Sequence, residues 1–158
     1  MPDDDYGFGD IPLADTALAG QNLDLLTTDE RSAIEVYAHN GFEFINPAMR
    51  GRIPMTSAVA RRIALIRSGL AKFPIPVTVR VSREVDAALC GITDEISAQS
   101  LIDEKFTEPA FLSTSGLADP PRDLRRTDPA VLELILPAGT PALRLGALAA
   151  VPAGREVC

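Results

Sequence analysis

The chain has 158 residues, of which 46% are hydrophobic, 13 are proline and none is tryptophan. A chain of this length forms one domain that buries about 68–70% of its unfolded surface, and the proline content indicates many short elements. The net charge of −7 excludes the basic footprint of a nucleic-acid-binding protein. The two cysteines, Cys90 and Cys158, are too few for a disulfide scaffold and lack metal-ligand spacing.

The negative charge is concentrated at the N-terminus. Residues 1–30 contain eight acidic side chains and no lysine or arginine, whereas the other 128 residues carry 15 basic and 14 acidic groups. Residues 1–26 are acidic and have no sustained hydrophobic period, so we predict a partly disordered leader before a folded domain over residues 27–158. No apolar run approaches the roughly 20 residues of a membrane span, and the start is not a basic signal peptide. The compartment stays open between the cytoplasm and secretion by a non-classical route.

Capping signals and apolar periodicity predict three helices in the first half of the folded chain. Thr27 and Glu30 form a capping box that begins the first helix, and Gly41 is expected to end it. A short helix is predicted over residues 47–50, because an Asn-Pro pair reads as a cap followed by a first-turn proline. A longer helix follows, with its cap at Thr56 or the next residue.

Strands are predicted in the second half of the chain. Residues Val77–Val81 alternate between apolar and polar side chains, which places Arg80 on the polar face of a strand. Further β segments are predicted over residues 106–107, 111–115, 131–136, 142–145 and 155–158. Asp94 caps a short predicted helix over residues 94–104. Helices followed by strands predict an α+β fold rather than alternating βαβ units.

Three consecutive hydroxyl residues, Ser113, Thr114 and Ser115, carry the first candidate chemistry. Alternation along a strand places Ser113 and Ser115 on one face and Thr114 on the other. Alone, such a run is typical of a strand end whose hydroxyls satisfy backbone groups. The hydroxyl run gains weight from two other polar residues, Arg80 on an earlier predicted strand and Glu156 near the end of the sequence.

A guanidinium, a hydroxyl and a carboxylate in one cleft match one reaction that needs no metal, the cleavage of the nicotinamide–ribose bond of NAD. Arg80 offers a charged fork suited to a phosphate, and Ser113 offers a short hydroxyl. Nicotinamide departs as a neutral base and needs no general acid, while the Glu156 carboxylate stabilises the oxocarbenium-like ribose. The sequence therefore predicts NAD as substrate and no metal.

The order and spacing of these segments resemble the mono-ADP-ribosyltransferases of the exoenzyme-type bacterial toxin family, the Arg/Ser-Thr-Ser/Glu class. The resemblance covers most of the chain after the leader. It is carried by residues 26–30, 33–37, 44–51, 77–81, 106–115, 137–140 and 155–157. It implies N-terminal helices packed on a β-sandwich-like NAD-binding core, and transfer of ADP-ribose to an acceptor that we expect to be a protein.

The resemblance also implies roles for single residues. Arg80 binds the NAD phosphates. Ser113 positions the catalytic glutamate and the nicotinamide ribose, and Thr114 and Ser115 shape the strand. Glu156 is the catalytic carboxylate, which bonds the ribose 2′-hydroxyl and stabilises the oxocarbenium ion.

Arg83 is the rival for the arginine role. We prefer Arg80, because it lies inside the predicted strand and Arg83 lies at its end.

Two departures from the family pattern qualify the predicted activity. Gly154 stands where relatives usually carry the glutamate or glutamine that helps to activate the acceptor. The sequence ends at Cys158, where relatives continue with another strand, so an unpaired edge that forms a dimer or accepts a partner segment is expected. NAD hydrolysis is therefore expected to compete with transfer. The alternative interpretation is a catalytically weak or inactive relative that binds NAD or a protein partner.

Overall fold

A computed structural model describes residues 10–102, 104 and 108–146, together with the backbone of residues 156–157. The helices are α1 (Ala14–Ala17), α2 (Thr28–Val36), α3 (Phe42–Met49), α4 (Ser57–Leu70) and α5 (Glu95–Gln99). The strands are β1 (Val79–Asp86), β2 (Thr114–Ser115), β3 (Pro129–Leu136) and β4 (Glu156–Val157). Helices precede most of the sheet in the chain, which confirms the predicted α+β class.

Helices α2 and α4 form the larger core with the segment that follows β3. Ile34 of α2 and Ile66 of α4 are buried together with Leu143 and Leu145. The predicted capping box is present, because Thr27 and Glu30 exchange hydrogen bonds between each side chain and the other residue's backbone N–H. The caps thus fix where α2 begins, and its apolar side then fixes the packing.

The first long helix does not end at Gly41 as predicted. A π-helical turn over Tyr37–Gly41 carries the chain directly from α2 into α3, and Gly41 has an ordinary helical φ of −61°. A Cβ atom on Gly41 would lie 2.9 Å from the carbonyl oxygen of Val36. The glycine therefore serves close packing inside the π turn. The helix continues because burial of Tyr37 and Ile45 stabilises the longer helix. The predicted helix over residues 47–50 falls at the end of α3, which ends at Met49.

The four strands form one antiparallel sheet in the order β3-β1-β2-β4. Strand β1 pairs with β3 along its whole length, from Val79 opposite Leu136 to Asp86 opposite Pro129. On its other side, β1 pairs with the short strand β2. Strand β1 begins two residues later and ends five residues later than the sequence indicates, because pairing with β3 extends it through residues without β alternation.

The predicted strand over residues 142–145 is a buried segment without a regular ladder. Pro141 forms an isolated bridge with Pro74, and Leu143 and Leu145 are fully buried. A run of apolar residues after a turn fits either a strand or a core segment, and the packing decides here. Among the described helices, none is long and apolar enough to cross a membrane.

Residues 10–26 do not behave as a separate leader. Ala14 and Leu18 of this segment are buried against Val79 and Val81 of β1 in a second core cluster. Leu13 forms a parallel bridge with Arg80, whose backbone N–H donates to the carbonyl of Pro12 at 2.9 Å. The boundary predicted at residue 26 is therefore corrected, because the apolar face of this short helix is hidden in sequence by its acidic neighbours.

Candidate functional site

A row of backbone-paired residues crosses the sheet at the predicted site. Ser82 of β1 lies opposite Ser115 of β2, and Ser115 lies opposite Glu156 of β4. Glu133 of β3 completes the row beside Ser82. The fold thus brings the backbone of Glu156 next to the hydroxyl run, although the two are 41 positions apart in the sequence. Arg155 and Gly154, the position of the departure from the family pattern, lie outside the described residues.

The hydroxyl residues differ in their surroundings. Ser113 is half-buried, whereas Thr114 and Ser115 are buried. Ser115 Oγ accepts a hydrogen bond from the backbone N–H of Leu117 at 3.2 Å, and Ser82 Oγ donates to the carbonyl of Leu117 at 2.6 Å. These two serines fix the turn after β2, so Ser113 is the member of the run with the more open position.

The two candidate arginines have different partners. Arg80 Nε donates to the carbonyl of Ile11 at 2.6 Å, and its Nη1 donates to Glu133 Oε1 at 3.0 Å. Arg83 Nη1 instead donates to the carbonyl oxygen of Ser113 at 2.5 Å. The structure brings Arg83, the rival in the sequence analysis, to the hydroxyl run, and it engages Arg80 with the N-terminal segment and β3.

A cavity of about 310 Å³ opens beside the run. It is lined by Ser82, Arg83, Glu84, Ser113, Thr114, Ser115, Pro120, Pro121, Asp123 and Arg126. Three of the predicted site residues therefore border it with Arg83, and Arg80 is not among the lining residues. Glu84 and Arg126 were not predicted from the sequence, because only the pairing of β1 with β2 shows that the loop after β2 covers this end of β1.

The segment before Ser113 is anchored by the π turn. Tyr37 Oη donates to the carbonyl of Phe111 at 3.3 Å and accepts from Asn46 Nδ2 at 3.1 Å. The rings of Tyr37 and Phe111 meet edge to face, with centroids 5.6 Å apart. An aromatic pair with a hydrogen-bonded hydroxyl holds the backbone of the run to the helical layer.

An ion pair lies at the start of the same segment. Arg50 Nε donates to Glu108 Oε1 at 3.0 Å, and the backbone N–H of Ala110 donates to the same oxygen at 3.1 Å. The Arg50 guanidinium lowers the pKa of Glu108, with a smaller electrostatic contribution from Arg83. Two guanidinium groups thus act on the one carboxylate of Glu108.

The end of the run is held by the N-terminal segment. The backbone N–H of Asp15 donates to the carbonyl of Gly116 at 3.0 Å, and its carboxylate pairs with Arg144 at 2.9 Å. A Cβ atom on Gly116 would lie 2.6 Å from the Asp15 nitrogen. The close approach requires glycine at this position, directly after the hydroxyl run.

Metal ligands are not grouped in the part of the chain that the structure describes. Within residues 10–102, 104 and 108–146, no three histidine, cysteine, aspartate or glutamate side chains are arranged to hold a metal ion. The candidate site is therefore described by its arginine, hydroxyl and carboxylate groups.

Comparison with known proteins identifies the family. A family model described as ADP-ribosyltransferase exoenzyme matches residues 15–158. The chain is 31% identical over 95 residues to the NAD(+)–protein-arginine ADP-ribosyltransferase Tre1 of Pseudomonas putida (strain GB-1). The matched region covers 58% of this chain. The match spans only 18% of that relative's length.

Solved toxin structures share the fold. Plx2a, an ADP-ribosyltransferase toxin from Paenibacillus larvae, superposes with a TM-score of 0.66 at 24% identity, covering 85% of this chain and 73% of the toxin. The enzymatic component C2-I of the Clostridium botulinum C2 toxin gives a TM-score of 0.71 at 21% identity, covering 93% and 41%. The chain belongs to the ADP-ribosyltransferase exoenzyme family.

Proposed function

We propose that the protein is an NAD-dependent mono-ADP-ribosyltransferase, which transfers ADP-ribose from NAD to an acceptor and releases nicotinamide. The observation that carries the proposal is the pairing of Ser115 with Glu156 beside a cavity bordered by Ser113 and Arg83. Family membership over residues 15–158 supports the same activity. NAD is the substrate in this proposal, and no metal takes part.

The reaction requires little from the protein beyond charge stabilisation. The bond between the ribose C1′ and the nicotinamide nitrogen breaks, and its electron pair stays on that nitrogen, which neutralises the pyridinium. The ribose becomes an oxocarbenium ion, which the Glu156 carboxylate stabilises. The acceptor then adds its lone pair to C1′ and loses a proton. Water as acceptor gives NAD hydrolysis.

The arginine of the site is a separate part of the proposal. We assign the NAD phosphates to Arg83, because its guanidinium borders the cavity and is hydrogen-bonded to Ser113. Arg80 stays the competing assignment, taken from the resemblance. A fork of N–H donors suits a pyrophosphate, and this charge is permanent at any physiological pH.

A protein arginine is the acceptor that we propose. The support is the name of the relative Tre1, a protein-arginine ADP-ribosyltransferase, with 31% identity over 95 residues. An arginine acceptor must lose a proton as it reacts, and Gly154 offers no side chain for this task. We therefore expect slow transfer relative to hydrolysis.

Incubation with etheno-NAD and a mixture of candidate proteins tests transfer. The proposal predicts a fluorescent protein adduct whose mass increase lies on arginine, together with free nicotinamide. The adduct is expected to disappear in Glu156→Gln and to persist in Glu43→Gln, a matched change at an exposed position of α3. NAD binding without nicotinamide release would support instead the catalytically inactive relative.

A further inference from the structure

The cavity has a second wall, formed by the loop that joins β2 to β3. This loop, residues 117–128, contributes Pro120, Pro121, Asp123 and Arg126 to the lining. We propose that Glu84 is a positioning residue that holds this loop against the cavity. Its effect on turnover rests on the proposed function, whereas its effect on the loop does not.

Glu84 is a buried carboxylate whose hydrogen-bond donors all come from the loop. Its side chain is 6% exposed. Oε1 accepts from the backbone N–H of Asp123 and from Arg126 Nε, each at 2.9 Å, and Oε2 lies 3.8 Å from Arg122 Nη1. An isolated carboxylate is costly to bury, so the loop must be in place for Glu84 to be satisfied.

The middle of the loop has few other attachments. The ends are held where Ser82 bonds the carbonyl of Leu117 and where Ala87 bonds the carbonyl of Asp128. Between them, within the described part of the chain, the hydrogen bonds and ion pairs from residues 119–126 to other segments end on Glu84 or Asp86. Leu124 is 96% exposed and adds no packing.

Two neighbouring residues of β1 thereby hold the two walls. Arg83 bonds the carbonyl of Ser113 on one side of the cavity, and Glu84 bonds Asp123 and Arg126 on the other. Successive side chains of a strand leave it on opposite faces, so the neighbouring residues Arg83 and Glu84 can each contact a different wall of the cavity. The separation of the walls is therefore set at this point of β1, and loss of Glu84 widens the cavity.

Amide hydrogen exchange on the wild-type protein, without NAD, is the first measurement. The Asp123 amide is expected to exchange at least about tenfold more slowly than the exposed Leu124 amide, after correction for intrinsic rates. Equal exchange at the two amides would overturn the proposal, whatever the protein does with NAD.

Glu84→Gln then removes the charge and retains the shape. We expect exchange over residues 119–126 to quicken about tenfold, and the KM for NAD to rise about tenfold with kcat within about threefold. Asp119→Asn is the control, an equal charge change at an exposed loop acid whose ion pair, among the described residues, is with Arg122. It is expected to match the wild type in both measurements.

If Glu84→Gln does not fold, the double variant Glu84→Gln/Arg126→Gln takes its place. It removes both charges of the Glu84–Arg126 pair, so that neither is left buried without its partner. Its loop is again expected to exchange faster than in the wild type. Wild-type loop protection in a folded Glu84→Gln or double variant would contradict the positioning role. A wild-type protein that protects Asp123 but never turns over NAD would instead refute the proposed function and leave the loop attachment standing.

Discussion

Arg83 donates a hydrogen bond from Nη1 to the carbonyl oxygen of Ser113 across 2.5 Å. This contact joins a charged strand residue to the hydroxyl run that the sequence singles out. Arg80, three positions earlier, donates hydrogen bonds to Ile11 and Glu133 instead. Substitutions of the two arginines can therefore be compared. Arg83 contacts a residue that lines the cavity, and Arg80 contacts the N-terminal segment.

We predict that substitution of Arg83 mainly changes the KM for NAD, whereas substitution of Arg80 mainly changes the free energy of unfolding. Arg83→Lys should raise the KM for NAD by about tenfold or more, since a lysine lacks the fork that suits a pyrophosphate. Arg80→Lys should lower the free energy of unfolding by about 1–2 kcal/mol and leave the KM within about threefold. Steady-state kinetics and urea unfolding of both variants check this. A raised KM in Arg80→Lys alone would restore Arg80 as the phosphate ligand.

The buried carboxylate of Glu30 makes stability depend on pH. Hydrogen bonds from Lys72, Ser68 and the backbone of Thr27 lower its pKa from 4.5 to about 2. Because the folded-state pKa is lower than the unfolded one, the contribution is complete above pH 4.5 and is lost as the pH falls toward 2. Lys72 is about one-third exposed, so solvent screening reduces the gain.

Glu30→Gln should accordingly lower the free energy of unfolding at pH 7 by about 2–3 kcal/mol, with the difference from wild type shrinking below pH 4. Glu35→Gln is the control, because the ion pair of Glu35 within the described part of the chain is an exposed one with Arg31 on the same helix. It should change stability by less than about 0.5 kcal/mol. Chemical unfolding from pH 2 to 7 measures both, and a constant difference across this range would disprove the linkage.

Gly116 tests the support that the N-terminal segment gives to the hydroxyl run. Gly116→Ala places a methyl group 2.6 Å from the backbone nitrogen of Asp15, and backbone gives way less easily than a side chain. We expect a loss of about 1–3 kcal/mol in stability, together with reduced NAD turnover. Gly20→Ala, at a site with open space around the new Cβ, should change neither quantity. Thermal unfolding and nicotinamide release check the pair, and wild-type values for Gly116→Ala would remove the support.

Tyr37 tests the attachment at the other end of the run. Tyr37→Phe keeps the ring against Phe111 and removes the hydroxyl that joins the Phe111 carbonyl to Asn46. A loss of about 1–2 kcal/mol is expected, since the carbonyl and the amide lose a shared partner. Phe42→Leu, which alters the other ring in contact with Tyr37, is the comparison for lost aromatic packing. Equal stability of Tyr37→Phe and wild type would show that the hydroxyl contributes nothing.

Local signals predicted the parts of the fold whose stabilising contacts are near in sequence. The capping residues Thr27, Thr56 and Asp94 each begin a helix as expected, because the cap and the amide that it accepts from are three positions apart. The β pattern of residues 131–136 also lies within β3. These elements need no knowledge of the tertiary structure.

Features that depend on distant contacts were missed. The helix continues through Gly41 because burial of Tyr37 and Ile45 compensates for the glycine. Residues 10–26 fold because β1 offers an apolar face to Ala14 and Leu18. The preference for Arg80 over Arg83 used the predicted strand end at residue 81, and pairing with β3 extends that strand to Asp86. The assignment of Ser113 and Glu156 to one site stays a prediction from family resemblance, and the pairing of Ser115 with Glu156 supports it.

Release of nicotinamide from NAD by the wild type and by Glu156→Gln is the most direct measurement of the central claim. We predict measurable release by the wild type and a fall of at least about a hundredfold in kcat for Glu156→Gln, with NAD still bound. Equal rates in the two proteins, or NAD binding with no release by a folded wild type, would contradict it.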